Sequence, residues 1–467
     1  MNRTRLLVGL ASAGLLTVSA CKKPTDARPP KGPLAVEAPA DPWGEEALAA
    51  YVDEIVPLVE KHAGRRFDER PPLEVFDPAA FAQYVERESK LIMDTIYRDT
   101  PEPIRQARAE EAAKAQMGGL FGKYGLFDGK TYIVPQSIEM AGQALGEDGP
   151  DRLAKLVIAH EITHALQNQE YDGRDQMGTL VDLDHFHGWS AVSEGGANFV
   201  AYRVAVDLGL EEEFWTLSSH QGWGRDGLEE PFAYEIWMRY GRGMEMLEAV
   251  VAEGGMDAFW AWHAEPPISS SMIFRPETYD TTLPERPLGL DTVLRGTEQK
   301  LTRGEWMVSN TRLGEYALRG EAIRTGKEVE LDAILSHLVD AQHLDLTLPD
   351  RTGDVRVLVF DAEQPARDYL ALLRAEQTVE GQLLAKMVGR PVEVTYQDLA
   401  GLEVEVDASL LRTQRIAGGS GTWQEEYTAW IVKGPHVVAV RASDFRPGLR
   451  LKRTITAVVQ NLEGVQE

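Results

Sequence analysis

The sequence predicts a mainly helical protein with α+β parts: a helical unit carrying one short strand region, followed by a smaller α+β domain. Three observations predict it. Apolar residues recur at helical spacing through 45–116 and again through 149–263. One β-branched and aromatic run, Thr131, Tyr132, Ile133 and Val134, interrupts them before Pro135 and reads as a short strand. Beyond Pro287 the pattern changes to short strand-like runs mixed with helix.

The chain opens on a targeting segment, 1–20, that stands outside the fold. Arg3 and Arg5 give it a positive start, and Leu6 to Val18 an apolar stretch too short to span a bilayer comfortably. Val18-Ser19-Ala20 then sets small residues before Cys21, the only cysteine. This run resembles a bacterial lipobox; the plainer alternative is a secretory signal with an incidental cysteine. The resemblance implies that Cys21 is lipidated and anchors the chain to the cell envelope. Lys22 stands where inner-membrane retention usually shows Asp, which implies the outer membrane of a Gram-negative bacterium. Residues 21–42 carry Pro24, Pro29, Pro30, Pro33, Pro39 and Pro42 and read as an extended linker. With Cys21 lipidated no disulfide is available, so stability is expected from core and metal. The formal charge of −26 disfavours nucleic acid as a partner.

In the helical unit, 43–286, Leu48, Val52, Ile55, Val56 and Val59 mark one helix, and Phe81, Tyr84, Val85, Ile92 and Ile96 another. Gly149-Pro150-Asp151 opens a helix to about Gln169, with Leu153, Leu156, Val157 and Ala165 on its buried stripe. Residues 182–187 read as a polar loop, 190–210 as a second long helix, and 234–251 and 255–263 as further helices. Pro266-Pro267 and Ser269-Ser270-Ser271 mark a loop. In the C-terminal domain, 287–467, helices are expected at 331–338 and 365–387, and strands at 354–360, 391–396, 402–406, 427–432 and 436–441. Trp215, Trp223, Trp237, Trp260 and Trp262 are expected in the core.

His160-Glu161-Ile162-Thr163-His164 is HExxH in the middle of a predicted helix. Positions i and i+4 lie one turn apart on one face, so both imidazoles reach a single Zn²⁺. Glu161 is offset by one residue, which sets its carboxylate beside the metal's open position as a general base for water. Leu156, Val157, Ile158, Ile162, Ala165 and Leu166 put the motif at a core, against the bland reading of two solvated surface histidines. Glu194, in Ser193-Glu194-Gly195-Gly196-Ala197, completes a set of two histidines and one carboxylate. Gly195, Gly196 and Ala197 would let its helix lie close to the first. Asn198, one turn on, is placed to hydrogen-bond a ligand from behind.

HExxH with a glutamate on the next helix resembles the gluzincin metalloproteases of the thermolysin type. The longer run His160-Glu161-Ile162-Thr163-His164-Ala165-Leu166-Gln167-Asn168-Gln169 is similar to HELTHALQDQ, found in a group of bacterial and archaeal metalloprotease-like proteins. Members of that group continue with a Glu-Gly pair, a tyrosine-containing helix and a Pro-Pro-x-Ser-Thr loop ending in His-Pro. The likeness covers about residues 120–320. It implies a zinc metalloprotease acting on a peptide or protein. It also implies that the strand before the HExxH helix, here Thr131 to Val134, lies along the cleft and pairs with an extended peptide. Tyr240, in Met238-Arg239-Tyr240-Gly241-Arg242-Gly243, matches the group's tyrosine and would donate to the oxyanion. Arg275 stands before Pro276 where the group has His; always protonated, it stabilises negative charge but cannot exchange a proton. His185 and His187 read as a solvated loop, with contact to the cleft or a second metal as the alternative. His220 and His263 are secondary candidates for an oxyanion partner.

The expectation is therefore a membrane-anchored zinc metallopeptidase with His160, His164 and Glu194 as ligands and Glu161 as base. The alternative, prompted by Arg275, is a catalytically weak or inactive zinc-binding surface lipoprotein that serves as a binding or structural module. A third reading is a helical lipoprotein with a chance motif.

Overall fold

The computed structural model describes residues 41–466 except 99, 117–119, 147, 222–230, 282–306, 323–326, 348–351, 376–380, 383, 386–388, 418–422 and 444–448. The targeting segment, Cys21, most of the linker, Trp223 and the expected boundary at 286/287 lie outside the described residues. Among the described residues, no helix is long and apolar enough to cross a membrane.

Helix α1 (Glu45–Ala63) turns Leu48, Val52, Ile55, Val59 and Ala63 to the core at helical spacing. Strand β1 (Leu73–Val75), α2 (Pro78–Ile96) and α3 (Glu102–Gln116) follow. Strands β2 (Gly122–Tyr124) and β3 (Thr131–Ile133) complete a three-stranded sheet in the order β1-β3-β2, with β1 parallel and β2 antiparallel to β3. This order corrects one expectation. β3 is central and both its edges are paired, and Val134 donates its N–H to the Phe121 carbonyl. Thr131, Tyr132, Ile133 and Val134 therefore have no edge to offer a peptide. Among the described residues, the outer edge of β2 has no strand partner.

Helix α4 (Pro135–Gly142) leads into α5 (Gly149–Glu170), the HExxH helix. α5 is buried on nearly every side, because α1, α4, β2, β3 and the next long helix all pack on it. After α6 (Gly173–Thr179), helix α7 (Leu183–Leu208) crosses α5. The expected loop at 182–187 is instead the start of α7. Asp182 is its N-cap and accepts from the His185 N–H at 2.9 Å, so a polar run that looks like a loop is a capped first turn. His185 and His187 are buried, not solvated.

Next come α8 (Glu211–Gln221), α9 (Pro231–Ile236), a π-helical turn (Trp237–Arg242), α10 (Gly243–Ala264) and α11 (Ser271–Phe274). A Cβ on Gly195 would stand 2.3 Å from the Gly243 carbonyl carbon, and one on Gly243 2.3 Å from the Ala191 carbonyl oxygen. Gly195 thus lets α7 and α10 touch backbone to backbone, while Gly196 leaves room for Gln167 of α5 and His263 of α10, so the small residues serve both neighbours. Trp237, Trp260 and Trp262 are core residues, whereas Trp215 is half exposed.

The second part holds β4 (Met307–Arg312), α12 (Gly314–Ala322), α13 (Glu328–Leu335), β5 (Leu338–Thr347), β6 (Thr352–Phe360), α14 (Glu363–Ala375), β7 (Val392–Gln397), β8 (Ala408–Ala417), β9 (Trp423–Lys433), β10 (His436–Ser443) and α15 (Leu449–Gln466). Its strands form one antiparallel sheet, β4-β5-β6-β10-β9-β8-β7. Period-2 alternation divides β6: Val355 and Val357 meet Leu451, Ile455 and Val458 of α15, while Leu358 and Phe360 meet Tyr369, Leu370 and Leu373 of α14. Helices thus cover both faces, an α+β arrangement beside a mainly helical part. Residues 402–406 form no strand. β4, β5 and β8 were not expected, because polar residues such as Gln342, Arg412 and Gln414 break the apolar runs that mark a strand; helices α12 and α15 were not expected either.

Candidate metal centre

The crossing of α5 and α7 brings three acceptor atoms together. His160 Nε2 lies 3.1 Å from His164 Nε2 and 3.4 Å from Glu194 Oε2, and His164 Nε2 lies 3.2 Å from the same oxygen. Among the described residues these three form the one group of His, Cys, Asp and Glu able to hold a metal ion. Atoms at tetrahedral positions around a metal, each about 2.0–2.1 Å away, stand about 3.3–3.4 Å apart, so the triangle fits such an ion.

The backs of both imidazoles are tied to amide oxygens. His160 Nδ1 is 2.9 Å from Asn198 Oδ1, and Asn198 Nδ2 donates to the Tyr240 carbonyl at 3.4 Å. His164 Nδ1 is 2.8 Å from Gln167 Oε1. Amide oxygens only accept, so both Nδ1 atoms donate and both Nε2 lone pairs face the centre. Neutral histidines in this arrangement point lone pairs at one another and at a carboxylate. Something positive belongs between them.

Without metal, a proton fills that place. Burial opposes a charge on His164, yet the Glu194 charge and hydrogen bond hold its pKa up at about 9. Burial likewise raises Glu194, but the His164 charge and the hydrogen bonds from His160 and His164 hold it well below the usual carboxylate range. A metal ion would displace this shared proton.

Glu161 is buried beside the ligands. Burial pushes its pKa up, while His160, His164 and Lys123 pull it back. β2 lies directly against it: a Cβ on Gly122 would come within 2.8 Å of Glu161 Cγ and 2.8 Å of Val157 Cγ1. Tyr240, in the π-helical turn, stacks on His160 with ring centroids 5.8 Å apart and hydrogen-bonds Glu194. Burial and the Glu194 charge raise its pKa well above 10. A π turn shifts the face that its side chains present, and here it carries Tyr240 to the ligands.

Arg275 does not serve the centre. Its guanidinium is forked onto Glu315 of α12 and lies 3.6 Å from Asp332 of α13. Both arms of the fork are spent on a buried carboxylate, which corrects its expected role in stabilising charge on substrate. The cations that bear on the site are instead Lys123, paired with Glu88, and Arg239, paired with Glu235. Neither was singled out from sequence, since both depend on contacts between separate elements. Gln167 was also missed as a partner of His164, although it lies three residues on along the same helix face. His263 sits behind the ligands and not on the substrate side: Gln167 Nε2 is 3.0 Å from its Nε2. His185 and His187 lie near Arg312 and Arg239 rather than in a second metal group. The side chain of His220 lies outside the described residues.

No family model and no curated protein matches this chain. A solved structure from Chloroflexus aurantiacus, described as a "putative hydrolase with a novel fold", is similar over 51% of this chain and 90% of its own, at 19% identity and a TM-score of 0.34. That likeness is too slight to assign fold or activity. The gluzincin resemblance therefore rests on the motif residues alone.

Proposed function

We propose that this chain is a zinc-dependent peptidase, tethered to the cell envelope through lipid on Cys21. The observation that carries the reading is the convergence of His160, His164 and Glu194 with Glu161 buried alongside. Two histidines and a carboxylate with amide oxygens behind the imidazoles are the donor set of a catalytic zinc site. Bound there, zinc would supply Lewis acidity toward a carbonyl oxygen and toward water.

The protein groups do the rest. Glu161 takes the proton of the attacking water and returns it to the leaving amine. Tyr240 turns its hydroxyl from Glu194 to the oxygen on which charge develops. The substrate strand pairs with the outer edge of β2; the strand's contact with Glu161 through Gly122 supports the reading, because it sets that edge strand beside the base. The three-stranded sheet and the α5–α7 crossing make up the catalytic unit, and Arg312, Glu315 and Tyr316 tie the start of the second part to it.

The test is cleavage of an unfolded protein by the zinc-loaded enzyme, with metal content measured alongside. Glu161→Gln is expected to keep stoichiometric zinc and to lose about 10²–10⁴-fold in kcat. Full activity in that variant would overturn the mechanism. The engagement of Arg275 with Glu315 favours a second reading, a zinc-binding module that cleaves nothing. Tight zinc with no cleavage of any peptide library would select it.

A further inference from the structure

We infer that His263 and Gln167 act as one positioning device that fixes the tautomer of His164 and so aims its Nε2 at the metal. The inference rests on the metal reading of the centre, but its test begins in the metal-free protein. The chain of donors starts at a backbone group. His263 Nδ1 is 2.8 Å from the Phe259 carbonyl oxygen, which only accepts, so that nitrogen carries the proton. His263 Nε2 is then an acceptor, and Gln167 Nε2 stands 3.0 Å from it. Burial lowers the His263 pKa to about 4, so the ring stays neutral at ordinary pH and keeps that lone pair.

The second amide proton of Gln167 goes to the Ser193 carbonyl at 3.0 Å. Both protons of the amide are spent, and its oxygen is left to face His164 Nδ1 at 2.8 Å, with the Ser193 hydroxyl donating to it at 3.4 Å. Turning the amide over would set its oxygen against two acceptors at once, the Ser193 carbonyl and His263 Nε2. The orientation is therefore specified twice, and His164 must donate from Nδ1. Gln167 and His263 are both more than nine-tenths buried, so water does not substitute for either. The helix crossing is shaped around the pair: a Cβ on Gly196 would stand 2.5 Å from His263 Nε2 and 2.9 Å from Gln167 Nε2. Gly196, two residues after a ligand, is glycine to make room for this relay.

The test uses the full chain with ¹⁵N-labelled histidine and three variants: His263→Phe, Gln167→Met and Gln167→Glu. In the metal-free wild type, held above pH 9 so that His164 is neutral and has a tautomer to read, ring ¹⁵N shifts are expected to show His164 bonded through Nδ1–H. His263→Phe and Gln167→Met are expected to mix the tautomers and, by chelator competition, to weaken zinc about 10–100-fold. Gln167→Glu keeps an oxygen acceptor for His164, so it is expected to restore the tautomer and most of the affinity. That rescue separates positioning from mere packing, because Glu loses the donors to Ser193 and His263. If His263→Phe fails to fold, the two Gln167 variants carry the comparison. Wild-type tautomer and wild-type zinc affinity in a folded Gln167→Met protein would overturn the inference. A wild type that takes no zinc yet shows a Gln167-dependent His164 tautomer would overturn the proposed function and leave the positioning device standing.

Discussion

Helix α7 carries two buried clusters of charge about three turns apart, and they are built on opposite terms. At its N-terminal end, Asp182 and Asp184 meet Arg312 of β4 at 3.2 and 3.4 Å, and Asp184 also accepts from the Ser270 backbone N–H at 2.9 Å. Ser270 in turn accepts from the Tyr316 N–H at 2.9 Å. Each carboxylate finds a cation and donors. Space is cleared for this as well: a Cβ on Gly314, at φ +67°, would fall 1.6 Å from Asp184 Oδ1. In the middle of the helix, Glu194 and the two imidazoles turn acceptors toward acceptors. Burial of charge is common to both clusters. What separates a clamp from a site is whether donors and acceptors close on themselves or leave room for something brought from outside.

The strongest way to break the comparison is to remove one carboxylate from each cluster. Glu194→Ala is expected to abolish stoichiometric zinc and, above pH 9 where the His164 proton is gone, to leave the metal-free fold melting near the wild-type temperature. Asp184→Ala is expected to cost about 1–3 kcal/mol of stability by leaving the buried Ser270 N–H and one arm of Arg312 without an acceptor, with zinc affinity of the folded fraction unchanged. Denaturant melts and chelator competition read the two effects separately. If the Glu194 variant loses stability and the Asp184 variant loses zinc, the assignments are reversed.

A milder test uses pH, because histidines beside the two clusters titrate in opposite directions. Burial, with the Arg312 charge beside it, lowers His185 to about 4. Its unfolded form takes a proton below about 6.5, so stability is full above that pH and falls as pH drops from 6.5 toward 4. His164, held at about 9, stabilises the metal-free protein fully below 6.5, and that contribution is lost as pH rises from 6.5 through 9. Each limb is expected to be on the order of 1–3 kcal/mol. His185→Gln should shrink the acid limb by the His185 share, since buried His187 and His263 also resist protonation, and leave the alkaline limb intact. Saturating zinc should remove the alkaline limb, since the metal replaces the proton. An alkaline limb that persists in the zinc-loaded protein would show that some other group titrates there.

The two clusters were also unequally legible. HExxH is local, since i and i+4 share a helix face whatever the tertiary context. Glu194 was readable from the small residues after it, although Gly195 clears space for Gly243 and Gly196 for His263. The N-terminal cluster was misread as a solvated loop, because its compensating cation, Arg312, lies more than a hundred residues downstream. Arg275 failed for the same reason. The motif resemblance gives its position in the chain, but Glu315, outside the matched motif, decides where its guanidinium points. Strand order is likewise non-local: the β-branched run at 131–133 showed that a strand exists, but not that β1 and β2 would take both its edges. The helical half was therefore mostly legible, and the sheet only where its strands avoid polar residues.

The smallest expected effect bears on that strand order. If β2 is the edge that takes substrate, its contact with Glu161 has to be close, and Gly122 is what makes it close. Gly122→Ala puts a methyl within 2.8 Å of Glu161 Cγ and 3.0 Å of the Tyr132 carbonyl oxygen, so strand or carboxylate must shift by a few tenths of an ångström. Such a shift in a positioned base is expected to lower kcat/KM about tenfold. Zinc affinity should not change, because the three atoms nearest that methyl belong to Glu161, Val157 and Tyr132 and none to a ligand. Gly178→Ala in α6 is the control: nothing lies within 4 Å of the added carbon, and stability should rise by up to about 1 kcal/mol. Equal activity in the Gly122 and Gly178 variants would detach β2 from the cleft. Loss of zinc in Gly122→Ala would mean that the strand supports the ligands themselves, and the division between a closed clamp and an open centre would then extend beyond α7.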